Sequence, residues 1–229
     1  MKIGDWPALP REFYDRETVD VARSLLNCVL IRGTADGVTA GRITETEAYT
    51  HEDSSCHSFR GKTERNASMF GPAGYAYVYF TYGMHFCFNV VTGPECIADA
   101  ALIRAVEPIE GWELMSRRRG LAEEEIARLL HAASPHGSGD AKARVRWAFV
   151  LCGGPGKVCG AFGISRAEDG TDLTIRNKGA DGLWIGAPLP DFGAAQRDEI
   201  LASPRIGIRQ AVEAPWRFTL QNDPYVSRK

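Results

Sequence analysis

Two glutamates placed two residues apart are the side chains of this chain best suited to chemistry. Glu45 and Glu47 lie in a segment rich in Thr, Val and Ile, spanning Val38 to Ala48, which predicts a β-strand. Side chains alternate along a strand, so Ile43, Glu45 and Glu47 are expected on one face. Neighbouring carboxylates that are partly buried tend to raise the pKa of one of them, which prepares it to act as a base. A solvated sheet edge explains the same spacing equally well.

A polar loop follows between Tyr49 and Phe70, and it contains two histidines and a basic cluster. The cluster consists of Arg60, Lys62 and Arg65 among Ser, Thr and Asn residues, a composition suited to DNA phosphate oxygens. An ordinary solvated loop is the alternative. His51 and His57 belong to no HExxH motif and to no Cys/His pair at zinc-finger spacing, so no metal and no other cofactor is expected.

A second hairpin is predicted after the turn residues Gly71, Pro72 and Gly74, with the sequence YAYVYF–TYGM–HFCFNVV. Its period of two places three tyrosines on one face, namely Tyr75, Tyr77 and Tyr79. Gly83 suits a positive φ, which puts Tyr82 at the tip of the hairpin. An aromatic ring exposed there could be inserted between base pairs and fill the gap left by an extruded nucleotide.

Composition indicates a soluble protein of the cytoplasm. The 229 residues are 44% hydrophobic, enough for one domain spanning 1–229 with residues 1–15 as an N-terminal arm. The net charge of −2 gives no sign of a nucleic-acid partner, although a local basic face would suffice for one. The six cysteines form no CxxC pair and are expected to be reduced thiols. No run approaches the ~18 apolar residues of a membrane span.

The remaining chain is expected to support this segment. Thr18 is a plausible N-cap for a first helix, and further helices are predicted over 111–119 and 122–133. Residues 134–140 read as a Gly/Ser-rich connection. Short strands are predicted in CVLIR, ALIRAV, LWIGAP, PRIGIRQ and PWRFTL, and three arginines of the C-terminal part are candidates to face DNA: Arg205, Arg209 and Arg217.

The glycine-rich sequence GGPGK at 153–157 does not fit a nucleotide phosphate loop. Leu151 stands where that motif needs glycine, and Val158 replaces the Ser or Thr that would bind magnesium. A helix start of this kind could still bind a DNA phosphate through its N–H groups and Lys157. A tight turn into a packed helix is the alternative.

Several motifs, in order along the chain, resemble the alkyladenine (3-methyladenine) DNA glycosylase family. They are ETEAY, the spaced His57, RN–MF–GPAGYAYVY–TYGM, ALIRAVEP, GGPGKVCGAFGI, PRIGI and DPYVS, and they extend from about Arg11 to the C-terminus. Two departures concern the pocket: Cys56 stands where a small aliphatic residue is common, and His85 replaces a frequent aromatic. The loop from Tyr49 to His57 is also about one residue shorter than in mammalian relatives.

The resemblance implies a role for each matching residue. Glu47 corresponds to the general base that activates water, and Arg104 to the arginine that helps to hold this water. Three residues would sandwich the extruded base, namely Tyr49, His57 and Tyr79. Tyr82 would intercalate into DNA, and Asn89 would disfavour the amino group of guanine. Glu45 has no role in this correspondence and ranks second as a base.

Together these observations predict an α+β domain with a curved, mostly antiparallel β-sheet, flanking helices and a protruding hairpin that inserts into DNA. The curved shape is implied by the resemblance. The expected protein is a monomeric, monofunctional DNA glycosylase that flips alkylated or deaminated purines from duplex DNA, leaves an abasic site and associates with the nucleoid through DNA. Lys62 is the only lysine of the segment 41–91, and a lyase step would need an amine nucleophile. Two alternatives remain: a non-enzymatic DNA-bending protein, and a carbohydrate hydrolase that uses Glu45 and Glu47 as its acid pair.

Overall fold

Eight β-strands form one antiparallel sheet in the computed structural model, which describes residues 5–81, 83–133, 141–176, 181–196 and 199–227. The strands are β1 (Val29–Thr34), β2 (Gly37–Tyr49), β3 (Ala76–Thr81), β4 (His85–Thr92), β5 (Asp99–Glu110), β6 (Gly182–Gly186), β7 (Ile200–Ser203) and β8 (Arg217–Leu220). The helices are α1 (Arg11–Tyr14), α2 (Thr18–Ser24), α3 (Trp112–Arg118), α4 (Glu123–Ala133), α5 (Ala141–Cys152) and α6 (Pro155–Phe162). Two 3-10 helices cover Glu64–Phe70 and Arg166–Glu168.

The long strand β2 is the centre of this sheet. The main strand order is β3-β4-β5-β2-β1-β6, and β8 pairs with both β2 and β7. β2 thereby pairs with β1, β5 and β8, and every one of these pairings is antiparallel. The prediction of an α+β fold with a curved antiparallel sheet is confirmed. Insertion of the hairpin into DNA stays a prediction, because its tip residue Tyr82 lies outside the described residues.

Irregular pairing between β2 and β5 determines where the side chains of β2 point. The register shifts between Ile43 and Glu45 and again between Glu45 and Thr46. Such bulges redirect side chains relative to the regular alternation of a strand. Ile43 consequently packs in the main hydrophobic cluster with Ala48, whereas Glu45 and Glu47 face away from it. The prediction that Ile43 shares the face of the two glutamates is wrong for this reason.

Two hydrophobic clusters lie on opposite faces of the β3–β4 hairpin. Ala76, Val78 and Phe88 belong to the main cluster between the sheet and the helices. Tyr77 belongs to a smaller cluster with Met69, with Tyr75 and Tyr79 packed against it. The predicted separation of tyrosines from apolar residues is therefore observed, and it directs the tyrosines toward the polar loop before β3.

The N-terminal segment is attached to the edge of the sheet. Residues 1–15 were expected to form an arm, and the structure describes this segment from Asp5 onward. The backbone N–H of Leu9 donates a hydrogen bond of 2.8 Å to Ile185 O. Tyr14 is fully buried in the main cluster. The N-cap of α2 is Glu17 rather than Thr18, whose hydroxyl donates to Asp99 at 2.9 Å.

The second half of the chain contains the other differences from prediction. Helix α5 and strand β7 have no counterpart in the predicted elements, and PRIGIRQ forms a loop rather than a strand. The predicted connection 134–140 lies outside the described residues. GGPGK is a turn into a helix, with Gly154 at the N-cap of α6 and Pro155 at its first position.

In the part of the chain that the structure describes, no helix is long and apolar enough to cross a membrane.

Candidate active site

A cavity of about 390 Å³ opens between the end of β2, the tyrosine face of the hairpin, β5 and the loop after Arg205. Strands and loops distant in sequence supply its wall. The lining residues are Tyr49, Ser55, Cys56, His57, Met69, Tyr77, Tyr79, Thr81, Cys87, Asn89, Ala100, Leu102, Arg104, Pro155 and the loop 206–210. The cavity is within the size range of small-molecule sites, about 300–1,000 Å³.

Glu47 lies directly behind this wall, where it is fully buried and held at three points. Its Oε1 accepts a hydrogen bond from the backbone N–H of Ile206 at 2.8 Å. Its Oε2 accepts from the Tyr49 hydroxyl at 2.8 Å and from Arg104 Nη1 at 3.3 Å. All three donors belong to residues that line the cavity. The carboxylate orientation is therefore fixed by the wall itself.

Glu45 is also fully buried, but its partners occupy both of its oxygens. Its Oε1 accepts from Arg217 Nε at 2.6 Å, from Arg104 Nε at 3.0 Å and from the Ser227 hydroxyl at 2.9 Å. Its Oε2 accepts from the Ser227 backbone N–H at 2.6 Å. Glu45 thus anchors Arg104 and the C-terminal segment, and of these hydrogen-bond partners Arg104 is the one that lines the cavity.

Arg104 connects the two glutamates and remains a cation. Burial by itself would lower the pKa of Arg104, but the carboxylates of Glu47 and Glu45 outweigh this and raise it. The guanidinium lines the cavity while donating to both acids. A positive charge is in this way fixed beside the space where a ligand would bind.

Aromatic rings form much of the wall. The rings of His57 and Tyr79 meet edge to face, with centroids 4.5 Å apart and planes at 80°, and Tyr77 lies 5.4 Å from Tyr79. His57 Nδ1 is 2.8 Å from the Tyr77 hydroxyl. Partial burial of the ring, and to a smaller extent Arg65, lowers the pKa of His57, although the residue keeps exposed surface; its imidazole is therefore neutral at pH 7. Burial also raises the pKa of Tyr49, Tyr77 and Tyr79, which keeps the phenols protonated.

Asn89 contributes a buried amide to the same wall. It lies on β4 opposite Tyr77, and its Nδ2 donates to Tyr77 O at 3.1 Å. That bond holds the amide in one position in the cavity wall. The structure thus brings together Glu47, Arg104, Tyr49, His57, Tyr79 and Asn89, the residues selected from the sequence.

The residues suggested for DNA backbone contacts have different environments. Arg60 and Lys62 are exposed, with the Lys62 ammonium 5.6 Å from the Phe70 ring centroid. Arg65 is exposed as well, donates to Phe80 O at 3.2 Å and lies 5.8 Å from the Tyr79 ring centroid. The Lys157 ammonium donates to Phe149 O at 2.9 Å and lies over the Phe149 ring.

The prediction that Arg205 and Arg217 face DNA is wrong, because both are buried in ion pairs with Asp53 and Glu45. Arg209 is exposed and lines the cavity.

Of the two departures from the family pattern, Cys56 lines the cavity. His85, the other departure, is not among the lining residues. It packs closely against the backbone of Gly156: a side-chain Cβ placed on Gly156 would lie only 3.0 Å from the Cβ of His85.

Sequence reasoning missed the loop 206–210 and several other lining residues, among them Tyr77 and Cys87, as parts of the site. The alternation of apolar residues in PRIGI favoured a strand, and no local pattern indicates that the N–H of Ile206 bonds to Glu47. Tyr77 could have been found from its shared face with Tyr79. Among the described residues, His, Cys, Asp and Glu side chains form no group of three that could hold a metal ion.

Fold and cavity together define a class: an α+β protein with an aromatic, arginine-containing pocket in front of a buried carboxylate, which is the arrangement of an enzyme. A family model described as methylpurine-DNA glycosylase (MPG) matches residues 12–224. The chain belongs to this family. It is a DNA glycosylase that acts on alkylated purines, so the resemblance and the enzyme class inferred from the sequence are confirmed.

Relatives of known name are similar along nearly their whole length. A protein of Carboxydothermus hydrogenoformans is 41% identical over 223 residues, covering 96% of this chain and 99% of the relative. One of Burkholderia lata is 42% identical, covering 99% and 97%, and one of Methanoculleus marisnigri is 41% identical, covering 96% and 99%. Each of the three is named "Putative 3-methyladenine DNA glycosylase".

Proposed function

We propose that this protein rotates a damaged purine out of duplex DNA into the described cavity and hydrolyses its N-glycosidic bond with a water activated by Glu47. The observation that carries the proposal is the fixed carboxylate of Glu47 immediately behind an aromatic cavity. A carboxylate in that position can stabilise the positive charge that develops on the sugar and can remove a proton from water. The product is an abasic site.

The hydrogen bonds of Glu47 leave one acceptor position on its carboxylate for a water molecule. A carboxylate oxygen can accept two hydrogen bonds, and Oε1 of Glu47 accepts one from the described residues, that of Ile206 N. Arg104 donates a hydrogen bond to the other oxygen, Oε2, and its side chain lines the cavity. Both partners are fixed before the substrate binds, so little reorganisation is needed during the reaction.

The aromatic wall supplies the recognition. Stacking of a base on an aromatic side chain is worth about 1–3 kcal/mol, which is comparable with the few kcal/mol that extrusion costs. Tyr49, His57 and Tyr79 are the rings proposed to hold the base, and a cationic alkylated purine is also attracted by tyrosine π-faces. Damaged bases pair and stack less well, so their extrusion costs less.

A monofunctional reaction is proposed because no lysine is among the lining residues of the cavity in the described chain. A lyase step needs an amine that attacks the sugar. Lys62 is exposed over the Phe70 ring, and the ammonium of Lys157 is bonded to Phe149 O. Water is then the nucleophile, and the DNA backbone stays intact.

The carbohydrate-hydrolase alternative requires two carboxylates that can both reach the substrate. Glu45 does not fit this requirement, because hydrogen bonds from Arg104, Arg217 and Ser227 occupy both of its oxygens. The DNA-bending alternative has no use for a fixed carboxylate behind the cavity. It differs from the proposal in predicting tight DNA binding without base release.

The test is release of free base from matched duplexes that contain 3-methyladenine, hypoxanthine or no lesion, measured in EDTA. We expect release from the damaged duplexes alone and a product strand that breaks only after alkali treatment. Binding of the duplexes without release would refute the proposal in favour of a DNA-bending protein. Strand cleavage without alkali would refute the monofunctional reaction.

A further inference from the structure

We propose that Arg205 is a positioning residue for excision, which holds the two loops of the cavity together and keeps Tyr49 and Ile206 against Glu47. This inference rests on the proposed function. Arg205 does not line the cavity, and its guanidinium is buried behind the wall. It therefore acts through other residues rather than on the substrate.

The Arg205 guanidinium reaches three segments of the chain. Its Nη1 donates to Ala48 O at 2.9 Å, between Glu47 and Tyr49 on β2, and its Nη2 donates to Ala211 O at 3.2 Å. Nη1 also forms an ion pair with Asp53 of the polar loop. The end of β2, the polar loop and the loop that contributes residues 206–210 to the wall are thereby fixed relative to one another.

The same guanidinium supports the ring of Tyr49. Its central carbon lies 4.7 Å from the Tyr49 ring centroid and 5.1 Å from that of Trp216. Tyr49 lines the cavity and donates its hydroxyl to Glu47, so its ring position sets both a wall of the pocket and one contact of the carboxylate. The residue after Arg205 is Ile206, whose N–H is another contact of Glu47. Two of the three donors to Glu47 thus depend on Arg205.

Asp53 connects Arg205 to a further lining residue of the cavity, Ser55. Its carboxylate accepts hydrogen bonds from the backbone N–H and the hydroxyl of Ser55, each at 2.9 Å, and Ser55 lines the cavity next to Cys56. Burial would raise the pKa of Asp53, but the hydrogen bonds from Arg205 and Ser55 outweigh it and lower that pKa. Asp53 is consequently charged at neutral pH and forms a permanent pair with Arg205.

Stability alone is a poor explanation for this pair. The desolvation free energy of a buried ion pair is about as large as the attraction between its charges. Apolar residues therefore often stabilise such positions equally well. Within the described chain the Arg205 Nε also has no hydrogen-bond partner, although it is buried. What the guanidinium supplies, and an apolar side chain cannot, is several donors in one plane with a fixed geometry.

The experiment measures the single-turnover excision of hypoxanthine at saturating enzyme, together with the affinity for undamaged duplex. The variants are Arg205→Lys, which keeps the charge but loses the planar fork, Arg205→Met, and the milder Asp53→Asn. The matched control is Arg42→Lys, because Arg42 is also a buried arginine, paired with Glu107 at 2.7 Å and Asp223 at 2.6 Å and outside the cavity wall. All rates are measured well below the melting temperature of each variant.

We expect Arg205→Lys and Asp53→Asn to slow excision by about 10- to 100-fold, since small misplacements of reacting groups can cost this much. Affinity for undamaged duplex should stay within about twofold, Arg205→Met should be slower than Arg205→Lys, and Arg42→Lys should excise at the wild-type rate. Wild-type rates in both Arg205 variants, or equal losses in Arg42→Lys, would overturn the inference alone. Absence of release by the wild type would overturn the proposed function and the inference with it.

Discussion

Replacement of Glu47 by glutamine is the most direct test of the proposed chemistry. The two side chains have the same shape, but the amide replaces one acceptor oxygen by a donor. If the amide oxygen faces Tyr49 and Arg104, its NH₂ group opposes the N–H of Ile206. If the amide is reversed, the NH₂ group opposes the Arg104 guanidinium instead. Either orientation leaves a buried donor without an acceptor.

The replacement is expected to lower both the folding free energy and the excision rate. One unsatisfied buried donor costs about 1–3 kcal/mol of folding free energy. Arg104 keeps its bond to Glu45, so the larger loss of about 3–5 kcal/mol that follows complete breakage of a buried pair is not expected. Loss of a general base lowers the rate by about 10²–10⁴-fold. Glu47→Gln should therefore fold, bind DNA and excise at least a hundredfold more slowly.

The assay is single-turnover release of hypoxanthine, with duplex affinity and the urea unfolding midpoint measured on the same samples. Glu45→Gln is the matched control on the same strand. Glu45 accepts four hydrogen bonds against the three of Glu47, so its replacement should cost more stability. It should reduce excision less, because it removes no base from the cavity. Wild-type excision by Glu47→Gln, or a larger rate loss in Glu45→Gln, would refute the assignment of Glu47.

Two further predictions concern the aromatic wall and the amide beside it. Arg65→Gln should raise the pKa of His57, because Arg65 is one of the two causes that lower it; NMR titration of the imidazole measures this shift. Binding of duplexes that carry a cationic alkylated purine should be independent of pH while His57 is neutral. Because the pKa of His57 lies below its usual value of about 6.5, binding should weaken only when the pH falls below this lowered pKa, where the imidazolium repels the cationic base. Asn89→Ala should open the wall to the amino group of guanine and increase guanine release from undamaged DNA several-fold, measured by mass spectrometry of free bases.

Each of these predictions has its own control. Arg60→Gln removes another exposed cation of the polar loop that does not lower the pKa of His57, so the titration should be unchanged. An unchanged titration in Arg65→Gln would contradict the electrostatic explanation. Thr81→Ala also shortens a lining side chain, and it should release no additional guanine. Equal guanine release by the two variants would show that cavity volume, and not the Asn89 position, excludes guanine.

The local pattern of the sequence was sufficient to predict the hairpin and the face of it that lines the cavity. Alternation in β3 separates Tyr77 and Tyr79 from Ala76 and Val78, and the structure places these two sets in different clusters. The reason is that alternation depends only on the extended backbone of the strand itself. The motifs that carry the family resemblance are likewise properties of short segments, so they could be recognised without a structure.

The different environments of Glu45 and Glu47 were decided by the tertiary structure. Their spacing is that of one strand face, but Ser227 and Arg217 occupy Glu45, whereas Ile206 leaves one acceptor position of Glu47 open. These donors lie more than 150 residues away along the chain. A periodic pattern within a single strand contains no information about such partners.

The loop after Arg205 shows the same limit. Its apolar alternation favoured a strand, yet the backbone N–H of Ile206 bonds to a side chain and not to a neighbouring strand. From the sequence, Arg205 was predicted to be a surface cation that faces DNA. In the structure it is surrounded by Asp53, Tyr49 and Trp216. The residue types available for glycosidic chemistry follow from the sequence alone. Folding decided which of them are held against the cavity, because burial and hydrogen-bond partners arise from contacts between distant segments.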